Sequence, residues 1–338
     1  MSGPHDLFVR RTFSHPELAA AELRAVLPPQ VVSQVDWSTL RRESGSVVDP
    51  ELKETESDLL FSARLSGGRP VLLYLLLEHQ SSVDRWMALR MLRYVVRQLE
   101  HWRKEHAGSG LLPVIIPLVM YHGPGGAWSA PRQIEELFDV PGEGALSEEW
   151  RALLPRFEYL VDDLTSERAE ALLARPGPPQ ARLALLALRY GRTEELAQQL
   201  PRWAALFAQV RATPNGLEEL SGVFHYLLLV GERSVRGATV GMLKSVVGSR
   251  RTEELMLTWG EEHFEQGRQK GLSEGLSQGR AEGRAEDVLR ILAARGVQVD
   301  DQARQRILSC TDLATLDQWF DRALKATRLA EVLEDRAQ

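Results

Sequence analysis

One cysteine, Cys310, stands in the whole sequence. That excludes an internal disulfide and any thiolate metal cluster, and it fits a reducing cytoplasm. No apolar run reaches the roughly 18 residues a membrane-spanning helix needs. The opening residues "MSGPHDLFVRR" lack the apolar core of a signal peptide, so a cytoplasmic protein without a membrane span is expected. Aromatic residues make up only 7%, while Leu, Arg, Glu and Ala abound, which leans helical. There is no excess of positive charge: the formal net charge is −6, so contact with nucleic acid needs a local basic surface. HExxH, Cys/His zinc spacing, an EF-hand loop and a P-loop are all missing.

What is present divides the 338 residues into unlike parts. Residues 1 to about 50 read as helical, with "SHPELAAAELRAVLP" the clearest segment, begun by Ser14 and Pro16 and ended by Pro28-Pro29. "SDLLFSARL" (57–65) and "PVLLYLLLEHQ" (70–80) read as strands joined by the hairpin loop "SGGR". A long amphipathic helix follows, with Trp86, Leu89, Leu92, Val96 and Leu99 as its expected apolar positions. "LPVIIPLVMYHG" (112–123) is a third strand. From about 145 only helical segments are expected, which gives a β-containing core over 1–143 and a helical region over 144–250.

Over 251–290 glycines 267, 271, 275, 279 and 283 recur every four residues, and a last helical region occupies 291–338. Each interior glycine costs a helix about 1 kcal/mol against alanine. The repeat therefore reads either as a helix packed closely against another, such as one from a second subunit, or as a flexible polar linker. "GLSEG" and "GLSQG" formally match a nucleophile elbow, but neither serine follows an apolar strand, so both are rejected. His5, His79 and His122 are possible acids or ligands, with surface or core histidine as the default for each.

The informative stretch is the end of the second strand, where a buried apolar run meets Glu78, His79 and Gln80 without a loop signal. Alternation puts Glu78 and Gln80 on one face and His79 on the other. Counting ten residues either way from Gly68 in the glycine turn sets Asp58 opposite Glu78, about 5 Å apart. Two carboxylates that close destabilise a sheet unless a cation joins them, and hard oxygen ligands suit Mg²⁺. The alternative is a solvated strand end with Asp58 on an exposed turn.

Four blocks in order, "PHDLFVRRTFSHPELA", "VVDPELKETESDLLFSARL", "VLLYLLLEHQSSVDRWMALRMLRYVVRQ" and "LPVIIPLVMYHGPGGAW", resemble the recombination-promoting nuclease family. That family, also known as transposase-like, is a bacterial branch of the PD-(D/E)xK nucleases, and the similarity covers about residues 4–140. It implies an α/β (α+β) fold: a restriction-endonuclease-like core, a mixed sheet flanked by helices, followed by a helical C-terminal region. It further implies DNA cleavage with Mg²⁺ or another divalent cation, with Asp58, Glu78 and the His79 carbonyl as metal ligands. Gln80 stands where the superfamily has a catalytic lysine. An amide cannot supply that lysine's positive charge, but it can hydrogen-bond the attacking water or a phosphate oxygen.

Arg10 and Arg11 stand roughly where the family has a basic residue, and Arg90 and Tyr94 match its RxxxY pattern. Arg90, Arg93 and Arg97 share one helical face, which is either a phosphate-facing surface or a solvated one. The leading expectation is a DNA endonuclease that self-associates through residues 267–283 as a homodimer. The competing ones are a catalytically weak or inactive DNA- or protein-binding module on the same fold, and a helical scaffold in which the acidic pair is incidental.

Overall fold

The computed structural model describes residues 3–43, 59–78, 83–123, 125–141 and 145–333. Three helices open the chain: α1 (Pro4–Phe13), α2 (Pro16–Val26) and α3 (Pro29–Val32), each with proline in its first turn, where the missing N–H costs nothing. Strands β1 (Val35–Arg42), β2 (Leu59–Leu65) and β3 (Pro70–Glu78) follow. Helix α4 (Met87–Glu105) then crosses to β4 (Val114–Tyr121). After α5 (Ala145–Ala152), β5 (Leu160–Asp163) completes a five-stranded sheet ordered β1-β2-β3-β4-β5. β1, β2 and β3 pair antiparallel, while β3, β4 and β5 pair parallel, so the sheet is mixed.

Two of these strands depart from expectation. β1 lies in the stretch read as helical, and β5 extends the sheet beyond residue 143, where only helices were expected. Both are sheet edges, and edge strands carry polar residues that blur the two-residue alternation. "VDWSTLRR" has few apolar positions, and "LVDD" is short and ends in two aspartates.

The β2–β3 register also differs. Equal arms about Gly68 put Leu59 opposite Leu77, but the structure pairs it with Leu75. The cause is a three-residue loop: Leu65 N donates to Arg69 O (2.8 Å), Gly68 N donates to Leu65 O (2.7 Å), and Gly68 takes a φ of 78°. A slip of two leaves every side chain on its original face.

α4 packs on one face of the sheet through Met87, Ala88, Met91 and Tyr94, against Val119 and Tyr159. The expected apolar stripe is only partly right: Leu92 packs against this core and Leu99 is half-buried, but Trp86, Leu89 and Val96 are exposed. Met87, Met91 and Tyr94 also recur at helical spacing, and the sequence alone does not tell which of two interleaved stripes faces the sheet. The sheet's other face presents buried Leu59, Phe61 and Leu73.

Helices α6 (Ala169–Ala174), α7 (Pro179–Tyr190), α8 (Leu196–Gln199), α9 (Ala204–Arg211), α10 (Gly216–Val230) and α11 (Arg233–Val247) follow the sheet. α1 and α2 pack against α7, and α1 also against α10. The 46-residue α12 (Ser249–Ala294) runs unbroken through the glycine repeat, so "GLSEG" and "GLSQG" form no elbow. α13 (Asp301–Leu308), α14 (Leu313–Ala323) and α15 (Ala330–Leu333) end the described chain. Contacts divide the molecule into two compact units, Met1–Glu253 and Glu254–Gln338. The second has its own core, with Val288, Leu292, Ile307 and Leu316 fully buried.

A buried ion network ties distant parts of the first unit together. Arg175 donates to both Asp162 oxygens (2.7 and 2.8 Å) and to both Glu22 oxygens (3.1 Å each). Burial, reinforced by the Asp162 charge, holds the Glu22 carboxyl well above its ordinary pKa. Burial also opposes ionisation of Asp162, yet the hydrogen bonds from Arg175 and Glu22 outweigh it and leave that pKa lowered. Native Glu22 thus keeps a proton over a pH range in which the unfolded chain has lost it, so its contribution declines as pH rises through that range. Glu22→Gln is expected to remove this decline, seen as a urea midpoint that falls less between weakly acidic and neutral pH than in the wild type. Asp162→Asn leaves a buried guanidinium short of charge and is expected to cost about 3–5 kcal/mol in the same measurement.

Candidate active site

The parallel ladder determines what lies beside Glu78. β3 and β4 pair without interruption from Val71↔Val114 to Glu78↔Tyr121, and Tyr121 pairs in turn with Asp163. The three parallel strands therefore end in register, with Glu78 beside the last residue of β4. Asp58, His79 and Gln80 lie outside the described residues. In donor chemistry the expected set, two carboxylates and a peptide carbonyl, is one of hard oxygens and fits Mg²⁺. Among the described residues no group of three His, Cys, Asp or Glu is arranged to hold a metal ion.

The end of β4 is lined by buried polar groups from three elements. His122, the residue after β4, is 5% exposed, and its ring centre is 4.9 Å from that of His5 on α1. His5 Nδ1 hydrogen-bonds the Tyr226 hydroxyl of α10 at 2.8 Å, and Phe8 stacks on the Tyr226 ring at 4.1 Å. Burial pushes the Tyr226 hydroxyl far above its ordinary pKa, so it stays protonated and fixes the His5 ring. Asp6, also buried, accepts a hydrogen bond from Gly3 N (3.1 Å) in the first turn of α1, where a carboxylate suits the helix dipole. Two imidazoles in contact at the end of a parallel strand can orient water or move protons. The sequence marks His5 and His122 only as possibilities; burial and mutual contact distinguish them from ordinary histidines. Asp6 and Tyr226 were missed, and "PHD" at a helix start is the only sequence signal for the first.

Neighbouring groups have structural work. Asp163 accepts hydrogen bonds from Trp128 N (2.9 Å), Thr165 N (2.9 Å) and the Ser166 hydroxyl (2.8 Å), which organises the loop after β4. Trp128 meets the buried Tyr121 ring edge-on at 5.0 Å. Gly123 has no room for a side chain, because a Cβ there falls 2.5 Å from the Tyr121 hydroxyl.

The basic residues fare differently from one another. Arg10 is half-buried, and Arg11 is exposed and paired with Glu218 at 3.2 Å. Arg93 is exposed, Arg90 and Arg97 are half-buried, and Tyr94 lies in the core beneath α4. Arg90 Nε donates to the Tyr94 hydroxyl (3.3 Å). The expected common surface is therefore split, with Arg93 outside and the Arg90–Tyr94 pair within.

Comparison with known proteins identifies the family. The family model described as "Putative transposase, YhgA-like" matches residues 3–218, more than half of the chain. The chain belongs to that family. It is 29% identical over 233 residues to the recombination-promoting nuclease RpnA of Escherichia coli K12, covering 68% of this chain and 74% of that protein. RpnC of the same strain is 35% identical over 120 residues, 36% of this chain and 39% of its own length. The inactive recombination-promoting nuclease-like protein RpnE is 30% identical over 235 residues, 69% and 73% of the two chains. No solved structure matches. The match spans all five strands and the helices through α9, so the sheet and its first helical neighbours form the family's shared part.

Gly123→Ala is expected to displace the Tyr121 ring at the end of β4. It should cost about 1–3 kcal/mol in denaturant unfolding, with a changed near-ultraviolet circular dichroism signal from Tyr121 and Trp128.

Proposed function

We propose that this chain is a divalent-metal-dependent DNA endonuclease of the cytoplasm that hydrolyses phosphodiester bonds in DNA recombination or the biology of mobile elements. The observation that carries the reading is the in-register ending of β3 and β4, in a member of a family whose relatives are named nucleases. It sets the Glu78 position beside Tyr121, one residue before His122, which is buried against His5.

Asp58, Glu78 and the His79 carbonyl would hold Mg²⁺, which supplies an acidified water and offsets charge on the phosphate. Gln80 donates a hydrogen bond to water or phosphate but carries no charge to it. His5 and His122 sit where a proton can be held near the strand ends, and Tyr226 keeps His5 in place. Arg93 and Arg97, with Arg10 and Arg11 at the end of α1, offer phosphate contacts, while Arg90 and Tyr94 brace α4 from within.

A second reading, a catalytically weak or inactive module on the same fold, is favoured by the amide at Gln80. It also draws on RpnA and RpnE, which match this chain equally well under opposite names. Purified protein is expected to nick supercoiled plasmid with Mg²⁺ and not with chelator, and Glu78→Ala to lose at least about a hundredfold in rate. DNA binding without cleavage under any divalent metal supports the module instead.

Self-association through α12 completes the proposal. A Cβ added at Gly267, Gly271, Gly275, Gly279 or Gly283 meets nothing within 4 Å, and Phe264, Leu272 and Leu276 are exposed beside them. A face that carries apolar side chains and several helix-weakening glycines fits close approach by a second copy, giving two centres for two strands. Gly271→Ala with Gly275→Ala separates the possibilities in sedimentation. Each alanine favours the isolated helix by about 1 kcal/mol, but crowding at a helix contact is expected to weaken the dimer. Unchanged association with a simple gain in stability rules out the contact.

A further inference from the structure

The side of α4 that faces the sheet changes character along its length. Met87, Met91 and Tyr94 are buried against the sheet, but the next residues on that side are Gln98, His101, Trp102 and Glu105. β2 changes in parallel beneath it, from Leu60 through Ser62 to Arg64. A helix packed on a sheet normally keeps its inner stripe apolar. Here both partners turn polar together, and a groove of about 420 Å³ opens between them.

The groove is furnished from both sides. Trp102 and His106 stack with ring centres 4.3 Å apart and planes within 8°, and His106 is exposed, so its ring can extend the stack outward. Leu60 and Leu72 give an apolar floor. β1 is bulged between Asp36 and Arg41, and Thr39 and Arg41 reach the groove from it. The carboxylates present are already engaged: Glu43 with Arg41 (3.1 Å) and the Ser62 hydroxyl, Glu105 with His101 (3.2 Å). Arg64 is exposed, and among the described residues no ion pair holds it. Arg103 and Lys104 on the last turn of α4 add exposed positive charge. A stacked aromatic pair, an apolar floor and a surplus guanidinium match a base with its phosphate.

We propose that this groove, separate from the cleavage centre, binds an unpaired nucleotide of a DNA strand, its base on the Trp102–His106 stack and its phosphate on Arg64. The proposal rests on DNA as the substrate. A duplex keeps its bases stacked on one another, so the groove favours single-stranded or opened DNA. It gives the protein a hold on a strand that does not depend on metal.

Photo-crosslinking of the full chain to an oligothymidylate of about 12 nucleotides carrying iododeoxyuridine, with chelator present, tests this. The adduct is expected on the α4 peptide that holds Trp102 or His106. Arg64→Ala and His106→Ala, both at exposed positions, should each weaken binding roughly tenfold. Arg64→Ala should also lower the slope of log affinity against log salt by about 0.7. Adducts only elsewhere, adducts untouched by both variants, or equal labelling by the duplex overturn the proposal. Plasmid nicking without an α4 adduct refutes the groove and leaves the nuclease standing; an α4 adduct on protein that nicks nothing supports the groove and refutes the nuclease.

Discussion

Eight consecutive residue pairs between β3 and β4 hold the centre of this molecule in place. Because the strands are parallel, one unbroken register determines what meets at their carboxyl ends, and any slip moves Glu78 away from Tyr121. The antiparallel β2 joins on one side through a loop whose single left-handed glycine sets its length. β5 joins on the other and brings Asp163 to anchor the loop that follows β4. α1 and α10 then close over the strand ends with His5 and Tyr226.

Much of this was legible in the residues. β2, β3 and β4 stand out as apolar runs between turn signals, and α4 by its period, since burial on both faces or along one stripe imposes those patterns. β1 and β5 were not legible, because an edge strand is half solvated and "VDWSTLRR" and "LVDD" carry the polarity that protects an edge. The inner stripe of α4 was misread for a related reason. Arg90 lies half-buried beside Tyr94, while Trp86 and Leu89 are left outside, so side-chain polarity alone points the wrong way. At the end of β3, Glu78 was visible in the sequence as an acidic residue closing an apolar run. The His5–Tyr226 contact was not, because no local pattern links residues 221 positions apart.

The relatives show why sequence similarity cannot decide activity in this family. RpnA and RpnE match the chain at nearly the same identity and coverage, yet one is named a nuclease and the other inactive. A fold can survive the loss of its chemistry, since the core depends on many apolar contacts and cleavage on a few polar atoms. The Glu22–Asp162–Arg175 network supports the fold despite its charge: it joins α2, β5 and the segment after α6.

The same long-range ties set an order in time. A ribosome releases residues 4–78 well before Arg175 and Tyr226, so the first helices wait without the partners that hold them. Until residue 226 has emerged, His5 has no hydroxyl to orient it, and the strand ends stay uncovered. A nascent chain of this protein therefore carries an unfinished strand end through about two thirds of its synthesis, until Tyr226 can reach His5.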